Sequence, residues 1–304
     1  MDLAIQTNKL RKTYGSKAAV RGLTLEVRRG EVFGFLGPNG AGKTTLIKIL
    51  LGLAAPSSGS AEVLGRPIGD ATVRAKIGFL PEHFRFHDWL TAEEFLRLHG
   101  RLHKMEPWRL KERAPKLLDL VGLRAHRNEK LREFSKGMLQ RIGLAQALIN
   151  DPELIFLDEP TSGLDPLGRR LVRDIIQDQR ARGATVFLNS HLLSEIEITC
   201  NRVAFIKHGE VIELRELQSL IEGQITVELR CKNLSPETIE GLSQWSSYVH
   251  AGGESLTLNL PDEIALPEIT RFLIARGADV YSITPQRLSL EELFIQIIGT
   301  DAEL

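Results

Sequence analysis

The chain has 304 residues, of which 42% are apolar, and its 39 basic residues balance 39 acidic ones. This length predicts about two domains, the composition suffices for packed cores, and the balanced charge gives no overall attraction to nucleic acid. The sequence contains no apolar run of about 18 residues that could span a membrane. Because Cys200 and Cys231 lack metal-ligand spacing and the N-terminus does not resemble a signal peptide, we expect a reduced, cytosolic compartment.

Residues 3–36 predict β structure that leads into a phosphate-binding loop. Leu23, Leu25 and Val27 alternate with polar residues as in a half-buried strand, and residues 32–36 predict a fully buried one. The next segment fits the pattern G-x-x-x-x-G-K-[ST]; it reads Gly37, Pro38, Asn39, Gly40, Ala41, Gly42, Lys43, Thr44. A helix-compatible run starts at Thr45. The strand before and the helix after argue against a chance glycine-rich turn.

This loop predicts a nucleotide site over residues 37–45. Free backbone N–H groups and the positive end of the helix dipole favour an anion. In such loops the lysine, here Lys43, reaches the β- and γ-phosphates, and the hydroxyl of Thr44 holds Mg²⁺.

Residues 88–150 are predicted to form a mainly helical insert. Thr91 and Glu94 fit a capping box at the start of a helix that reaches about His103. Periodicity predicts a second helix over residues 108–121, and a third from Ser135 to about Ile149.

Two buried strands are then predicted to end in polar residues. Residues 154–157 are followed by Asp158 and Glu159, and residues 185–188 are followed by Asn189, Ser190 and His191. A helix between them, over 167–182, indicates a parallel sheet, whose ligands gather at the carboxyl ends of the strands. We expect Asp158 to orient the Mg²⁺ shell and Glu159 to act as general base. The alternative is a pair of solvated acids that cap the next helix.

The composition changes after about residue 222. Residues 203–214 predict a hairpin, residues 225–230 and 255–260 alternate like strands, and residues 269–275 and 290–298 predict helices. We therefore predict a domain over 1–221, with its helical part at about 88–150, and a small α+β domain over 222–304.

Ser135 can cap the helix that follows it, which makes a second candidate anion site; an ordinary N-cap is the alternative. With this segment included, residues 1–215 resemble the nucleotide-binding subunits of ABC transporters. Tyr14 matches the family's adenine-stacking aromatic, residues 37–44 its Walker A motif and residues 154–159 its Walker B motif. Residues 134–138 match the signature, residues 162–165 the D-loop, and His191 the switch histidine.

The chain departs from this family in two places. The signature reads Phe-Ser-Lys-Gly-Met instead of the usual Leu-Ser-Gly-Gly-Gln, so Ser135 and Gly137 remain while Lys136 is new. Glu82 stands where the family usually has a glutamine, and its carboxylate could still reach Mg²⁺. These segments, together with residues 289–294, are similar to the exporter branch in which ATPase and membrane subunits are separate chains.

The resemblance implies an α/β fold with a P-loop NTPase core, an N-terminal antiparallel β subdomain and the helical insert. It implies an ATPase that uses ATP and Mg²⁺, with Glu159 and His191 as catalytic residues. It also implies that a second chain, as in a homodimer, contributes Ser135 and Gly137 to each nucleotide site. Asp165, in the D-loop, is expected among the nucleotide-binding residues. An integral membrane permease would hold the subunit on the inner face of the membrane.

The family docks the permease in a groove near residues 79–105. The aromatic residues of this segment are Phe79, Phe84, Phe86, Trp89 and Phe95. Most of them are better explained as core of the helical insert, and Trp89 is the better surface candidate. Two other functions stay open: a soluble ABC ATPase that acts on ribosomes or nucleic acid, and a nucleotide sensor with little turnover.

Overall fold

A computed structural model describes residues 2–83, 86–218, 225–246, 248–252, 255–287 and 289–299. The chain divides into two compact units, one of Met1–Arg215 with Phe294–Leu304 and one of Glu216–Leu293. Phe84 and the predicted boundary at 221 and 222 lie outside the described residues.

The first unit begins with an antiparallel sheet of four strands in the order β2-β1-β4-β5. Leu23, Leu25 and Val27 are buried while Thr24 and Glu26 are exposed, which confirms the predicted alternation. The strands are β1 Leu3–Tyr14, β2 Lys17–Arg28, β4 Ser58–Val63 and β5 Arg66–Pro67.

The second sheet of this unit has six strands in the order β10-β9-β3-β8-β7-β6, and its inner pairs are parallel. Every residue of β3, β7 and β8 is buried, as is usual when helices cover both faces of a parallel sheet. The strands are β3 Val32–Leu36, β6 Ile77–Leu80, β7 Leu154–Asp158, β8 Thr185–Asn189, β9 Arg202–Lys207 and β10 Glu210–Glu216.

The helices of the first unit begin close to the predicted positions. Thr91 and Glu94 make both bonds of the capping box, and Ser135 is the N-cap of its helix. The helices are α1 Lys43–Leu50, α2 Ala71–Arg74, α3 Ala92–Leu102, α4 Pro107–Leu120, α5 Lys136–Ala147, α6 Pro166–Ala181 and α7 Leu193–Thr199. Short 3₁₀ turns cover Arg124–His126 and Leu131–Glu133.

Phenylalanines at the centre of the parallel sheet hold its strands in place. The ring of Phe187 lies 5.8, 5.3 and 5.4 Å from those of Phe33, Phe35 and Phe156, and all four are fully buried. Truncation of such a ring to alanine costs about 3–5 kcal/mol. Because β3, β7 and β8 are parallel, the exits of these strands lie at one edge of the sheet.

The second unit follows a β-α-β-β-α-β order and forms an antiparallel sheet of four strands, β12-β13-β11-β14. Alternate residues of β11 and β13 are buried against Ile269 and Leu273, which confirms the α+β prediction. The elements are β11 Ile225–Lys232, α8 Pro236–Gly241, a 3₁₀ turn Leu242–Gln244, β12 Val249–Gly252, β13 Ser255–Leu260, α9 Leu266–Ala275 and β14 Asp279–Arg287. Helix α10, Leu290–Ile298, follows.

Within the part of the chain that the structure describes, no helix is both long and apolar enough to cross a membrane. In the predicted groove, Phe95 is fully buried, whereas Trp89 is 66% exposed.

Candidate functional site

The phosphate loop connects β3 to α1 and requires glycine at two positions. Gly42 is the N-cap of α1 with φ of 107°, and a Cβ added to it would lie 2.3 Å from the carbonyl oxygen of Ala19. A Cβ on Gly37 would lie 2.3 Å from the carbonyl oxygen of Ile206. Any side chain would push the loop off the neighbouring strands, so these glycines set its path.

Lys43 points into the loop that precedes it. Its Nζ donates hydrogen bonds to the carbonyl oxygens of Gly37, at 2.6 Å, and Pro38, at 3.1 Å. Burial lowers the pKa of Lys43, while the nearby carboxylates of Glu159, Asp158 and Glu82 oppose this change. The loop therefore holds a cation that faces three acids.

Asp158 ends β7 next to Asn189, which ends β8. The two residues are register partners, and Nδ2 of Asn189 donates to Oδ1 of Asp158 at 2.5 Å. Asp158 is 2% exposed, and burial raises its pKa although the Asn189 bond lowers it. Oδ1 of Asn189 is buried and has no hydrogen-bond partner among the described residues. The strand exits thus combine a carboxylate with a buried amide oxygen that accepts no hydrogen bond from the described residues.

Glu159 and His191 form the second polar pair. Nδ1 of His191 lies 2.6 Å from Oε2 of Glu159, and the backbone N–H of Glu159 donates to the carbonyl of Asn189 at 2.8 Å. Glu159 has φ of 54°, a left-handed conformation that is uncommon outside glycine and frequent at functional sites. Burial raises its pKa, and His191 opposes this change. A carboxylate held in this way can accept a proton from water.

Lys43, Glu159, Asn189 and His191 line one cavity of about 790 Å³, here called the nucleotide cavity. Of the residues predicted to bind or act, Tyr14, residues 37–40 and 42–45, Glu82, Glu159 and His191 line it. Ala41 and Asp158 are buried and are not among its lining residues.

Seven further residues line the nucleotide cavity and are not among the predicted site residues. For two of them, Asn189 and Ser190, the sequence gives an indication, because they follow a buried strand. The seven are Lys17, Ala19, Leu36, Asn189, Ser190, Leu193 and Phe294.

Tyr14 is the exposed aromatic of the nucleotide cavity. It ends β1, its side chain is 52% exposed, and Nζ of Lys12 lies 4.8 Å from the centre of its ring. An exposed ring of this kind offers a face for stacking.

The predicted signature and D-loop residues lie at a second cavity of about 550 Å³, here called the signature cavity. Ser135, Gly137 and Asp165 line it together with Lys136 and Gly163. The side-chain oxygen of Ser135 accepts from the N–H of Met138 at 3.3 Å, and that of Asp165 accepts from the N–H of Gly168 at 2.8 Å. Both side chains are therefore N-caps.

Side chains of α5 contact the D-loop and the backbone of Glu159. A Cβ added to Gly163 would lie 2.8 Å from Cε of Lys136, so the lysine stem lies across the D-loop. Nε2 of Gln140 donates to the carbonyl of Glu159 at 3.0 Å. Helix α5 thus contacts the backbone of Glu159, which lines the nucleotide cavity.

Comparison with known proteins gives two family matches. The ABC transporter family model matches residues 20–162, and the model of the ATP-binding protein DrrA1-3-like C-terminal domain matches residues 209–298.

Several similar proteins match this chain over nearly its whole length. An uncharacterized ABC transporter ATP-binding protein of Nostoc sp. is 43% identical, over 99% of this chain and 91% of its own. Nod factor export ATP-binding protein I of Rhizobium sp. is 35% identical over 99% of each chain. The linearmycin resistance ATP-binding protein of Bacillus subtilis is 32% identical over 97% of this chain and 98% of its own.

Solved structures share the fold of about seven tenths of the chain. The ATP-binding subunit of an ABC transporter matches with a TM-score of 0.67 and 30% identity, over 71% of this chain and 91% of that one. A dimeric ATP-binding cassette in a post-hydrolysis state, bound to ADP and phosphate, matches with a TM-score of 0.65 and 27% identity, over 70% and 98%. The chain therefore belongs to the ATP-binding subunits of ABC transporters, and it is an ATPase.

Proposed function

We propose that this ATPase subunit dimerises on ATP and drives export through a separate membrane permease. One observation carries the dimer: the phosphate loop and the signature serine line different cavities of the same chain. A single chain thus offers two half-sites, and a second copy is needed to bring Ser135 to the nucleotide that Lys43 holds.

The nucleotide would lie in the nucleotide cavity with its phosphates on residues 37–45. Lys43 would exchange its carbonyl partners for phosphate oxygens, and Tyr14 would stack on the base. In the opposite chain, Ser135 and Gly137 would meet the γ-phosphate at the N-terminus of α5, and Asp165 would hold the D-loop beside it. ATP bound in this way stabilises the dimer through contacts that disappear on hydrolysis.

The donor set near Lys43 fits Mg²⁺. Thr44, Asp158 and Glu82 all offer oxygen, the ligand that Mg²⁺ prefers, and Oδ1 of Asn189 has no partner among the described residues. Among the described residues, no group of three or more Asp, Glu, His or Cys side chains is arranged so that it could hold a metal ion by itself. Few protein ligands are typical of Mg²⁺ sites that share the ion with phosphates. The ion would neutralise charge on those phosphates.

For hydrolysis, Glu159 would accept the proton of the attacking water, while His191 would orient that carboxylate and the γ-phosphate. The 2.6 Å contact between them supports this assignment, as does the raised pKa that burial gives Glu159. General bases typically contribute about 10²–10⁴-fold to a rate.

Export rather than uptake is supported by the names of two relatives, Nod factor export ATP-binding protein I and the linearmycin resistance ATP-binding protein. The permease would dock on the helical insert, where Trp89 is 66% exposed before α3. This docking would hold the chain on the inner face of the membrane.

Dimerisation is tested by light scattering after size-exclusion chromatography. Glu159→Gln should form a stable dimer with ATP and Mg²⁺ and remain monomeric with ADP. Adding Ser135→Arg should abolish the dimer but leave ATP binding to the monomer intact, whereas adding Lys43→Ala should abolish both. A dimer that survives Ser135→Arg would contradict the proposed closure.

The transport function is tested by purification from native membranes. An integral membrane protein that copurifies with the full chain is expected. Ribosomes or nucleic acid in its place would contradict the proposal.

A further inference from the structure

Helix α10 places an aromatic side chain on the nucleotide cavity. Phe294 lines the cavity together with Lys43 and Glu159, and it belongs to the same compact unit as these residues. Every other lining residue lies at or before Leu193. Helix α10 therefore brings the chain back to the cavity that the phosphate loop, Glu159 and His191 line.

Two contacts on β9 hold the helix there. The ring of Phe294 lies 6.3 Å from that of Phe205, which is fully buried. Nζ of Lys207 donates to the carbonyl oxygen of Ile298 at 2.5 Å. Phe205 and Lys207 are two residues apart on one strand and share a face, so they hold one side of α10.

The position of Phe294 follows from the register of the sheet. Phe205 pairs with Leu36, the residue that directly precedes the phosphate loop. Leu36 and Leu193 also line the cavity, and Phe294 is partly buried. An aromatic ring that still borders the cavity can bury more apolar surface when a ligand fills it.

We propose that Phe294 is an apolar wall of the nucleotide cavity, so that nucleotide binding and docking of the last helix stabilise each other. This inference rests on the nucleotide placement proposed above. Coupling between two equilibria is reciprocal. Loss of the Phe294 ring must therefore weaken nucleotide binding, and bound nucleotide must strengthen the docking of α10.

The first test is the Kd of ADP, which is not hydrolysed, measured by calorimetry on the full chain. Phe294→Ala should raise it about 5-fold, which is about 1 kcal/mol at 1.4 kcal/mol per tenfold. Ile295→Ala, a neighbour that is 50% exposed and does not line the cavity, should leave it unchanged. Wild-type affinity in Phe294→Ala would overturn the inference. Lys43→Ala reports separately on the nucleotide placement, since it should lose ADP whether or not Phe294 contributes.

The second test is hydrogen exchange over residues 290–299. ADP should slow exchange there in the wild type and in Phe294→Leu, which keeps an apolar side chain, but not in Phe294→Ala. Unchanged exchange in the wild type would overturn the coupling even if the alanine variant fails to fold.

Discussion

The nucleotide cavity and the signature cavity both adjoin a helix N-terminus, but they differ in whether the charged side chains beside them are buried. At the first, the lining residue Glu159 is 8% exposed, Asp158 beside it is 2% exposed, and Lys43 bonds to a carbonyl oxygen near these carboxylates. In the second, Ser135 and Lys136 are exposed and the side chains of Ser135 and Asp165 act as N-caps. The first cavity thus buries charge that a bound nucleotide and cation can compensate. In the proposed dimer, the second would offer the N-terminus of α5 to a phosphate that the other chain holds.

Turnover should respond most strongly to a change at Glu159, the proposed general base. Glu159→Gln keeps the shape of the side chain but removes its proton acceptor, so ATP turnover should fall by about 10²–10⁴-fold while the Kd of ATP changes little. A steady-state phosphate assay measures the rate, and Glu268→Gln, an exposed glutamate of the second unit, serves as control. Rapid turnover in Glu159→Gln would mean that another group is the base.

The pH dependence of turnover should follow from the same burial. Because burial raises the pKa of Glu159, the base loses its charge at a higher pH than an ordinary glutamate. The acid limb of the kcat profile should therefore lie above pH 4.5, the usual glutamate pKa. The residual rate of Glu159→Gln should lack this limb. An acid limb that persists in the variant would assign it to a different group.

The buried charge of Asp158 should also lower the free energy of unfolding of the ligand-free chain. The pKa of Asp158 is raised in the folded state, so its ionised form is disfavoured there at neutral pH. Asp158→Asn should stabilise the ligand-free chain by about 1 kcal/mol, or about 2–4 °C for a unit of this size. This gain in stability should vanish when the pH falls below about 3.8, the ordinary pKa that Asp158 has in the unfolded chain.

Thermal unfolding at pH 7 measures this effect, and Asp174→Asn, at an exposed ion pair with Arg170, is the matched control. A lower midpoint for Asp158→Asn would show that its hydrogen bond to Asn189 outweighs the cost of burial.

The smallest effect is expected at the signature cavity. Lys136 lies across Gly163, and its charge would reach the γ-phosphate only across the dimer interface. Lys136→Ala should lower turnover about 2–5-fold, the loss of roughly 0.4–1 kcal/mol that a solvent-screened charge can supply. Lys116→Ala, an exposed lysine on α4, should change nothing. Unchanged kinetics in Lys136→Ala would exclude an electrostatic role for this lysine.

Local sequence signals predicted the elements whose causes are local. Thr91 and Glu94 mark the start of α3 because a capping box involves only neighbouring residues. Asp158 and Glu159 could be placed at a strand exit because a short apolar run precedes them.

Elements with non-local causes were missed. β6 contains Gly78, whose missing side chain admits the carbonyl of Ala147, and glycine weakens a strand signal. β14 contains Pro285, which an edge strand tolerates.

The phosphate loop, the acids at the exit of β7, the capped helices and the family resemblance can be predicted from the sequence, because each depends on neighbouring residues or on the order of motifs. Which distant residues meet depends on the folded chain. The bond between Asn189 and Asp158, the separation of Ser135 from the nucleotide cavity and the return of Phe294 to it all depend on strand register and packing. These contacts join residues far apart in the chain, and spacing along the chain carries no signal for them.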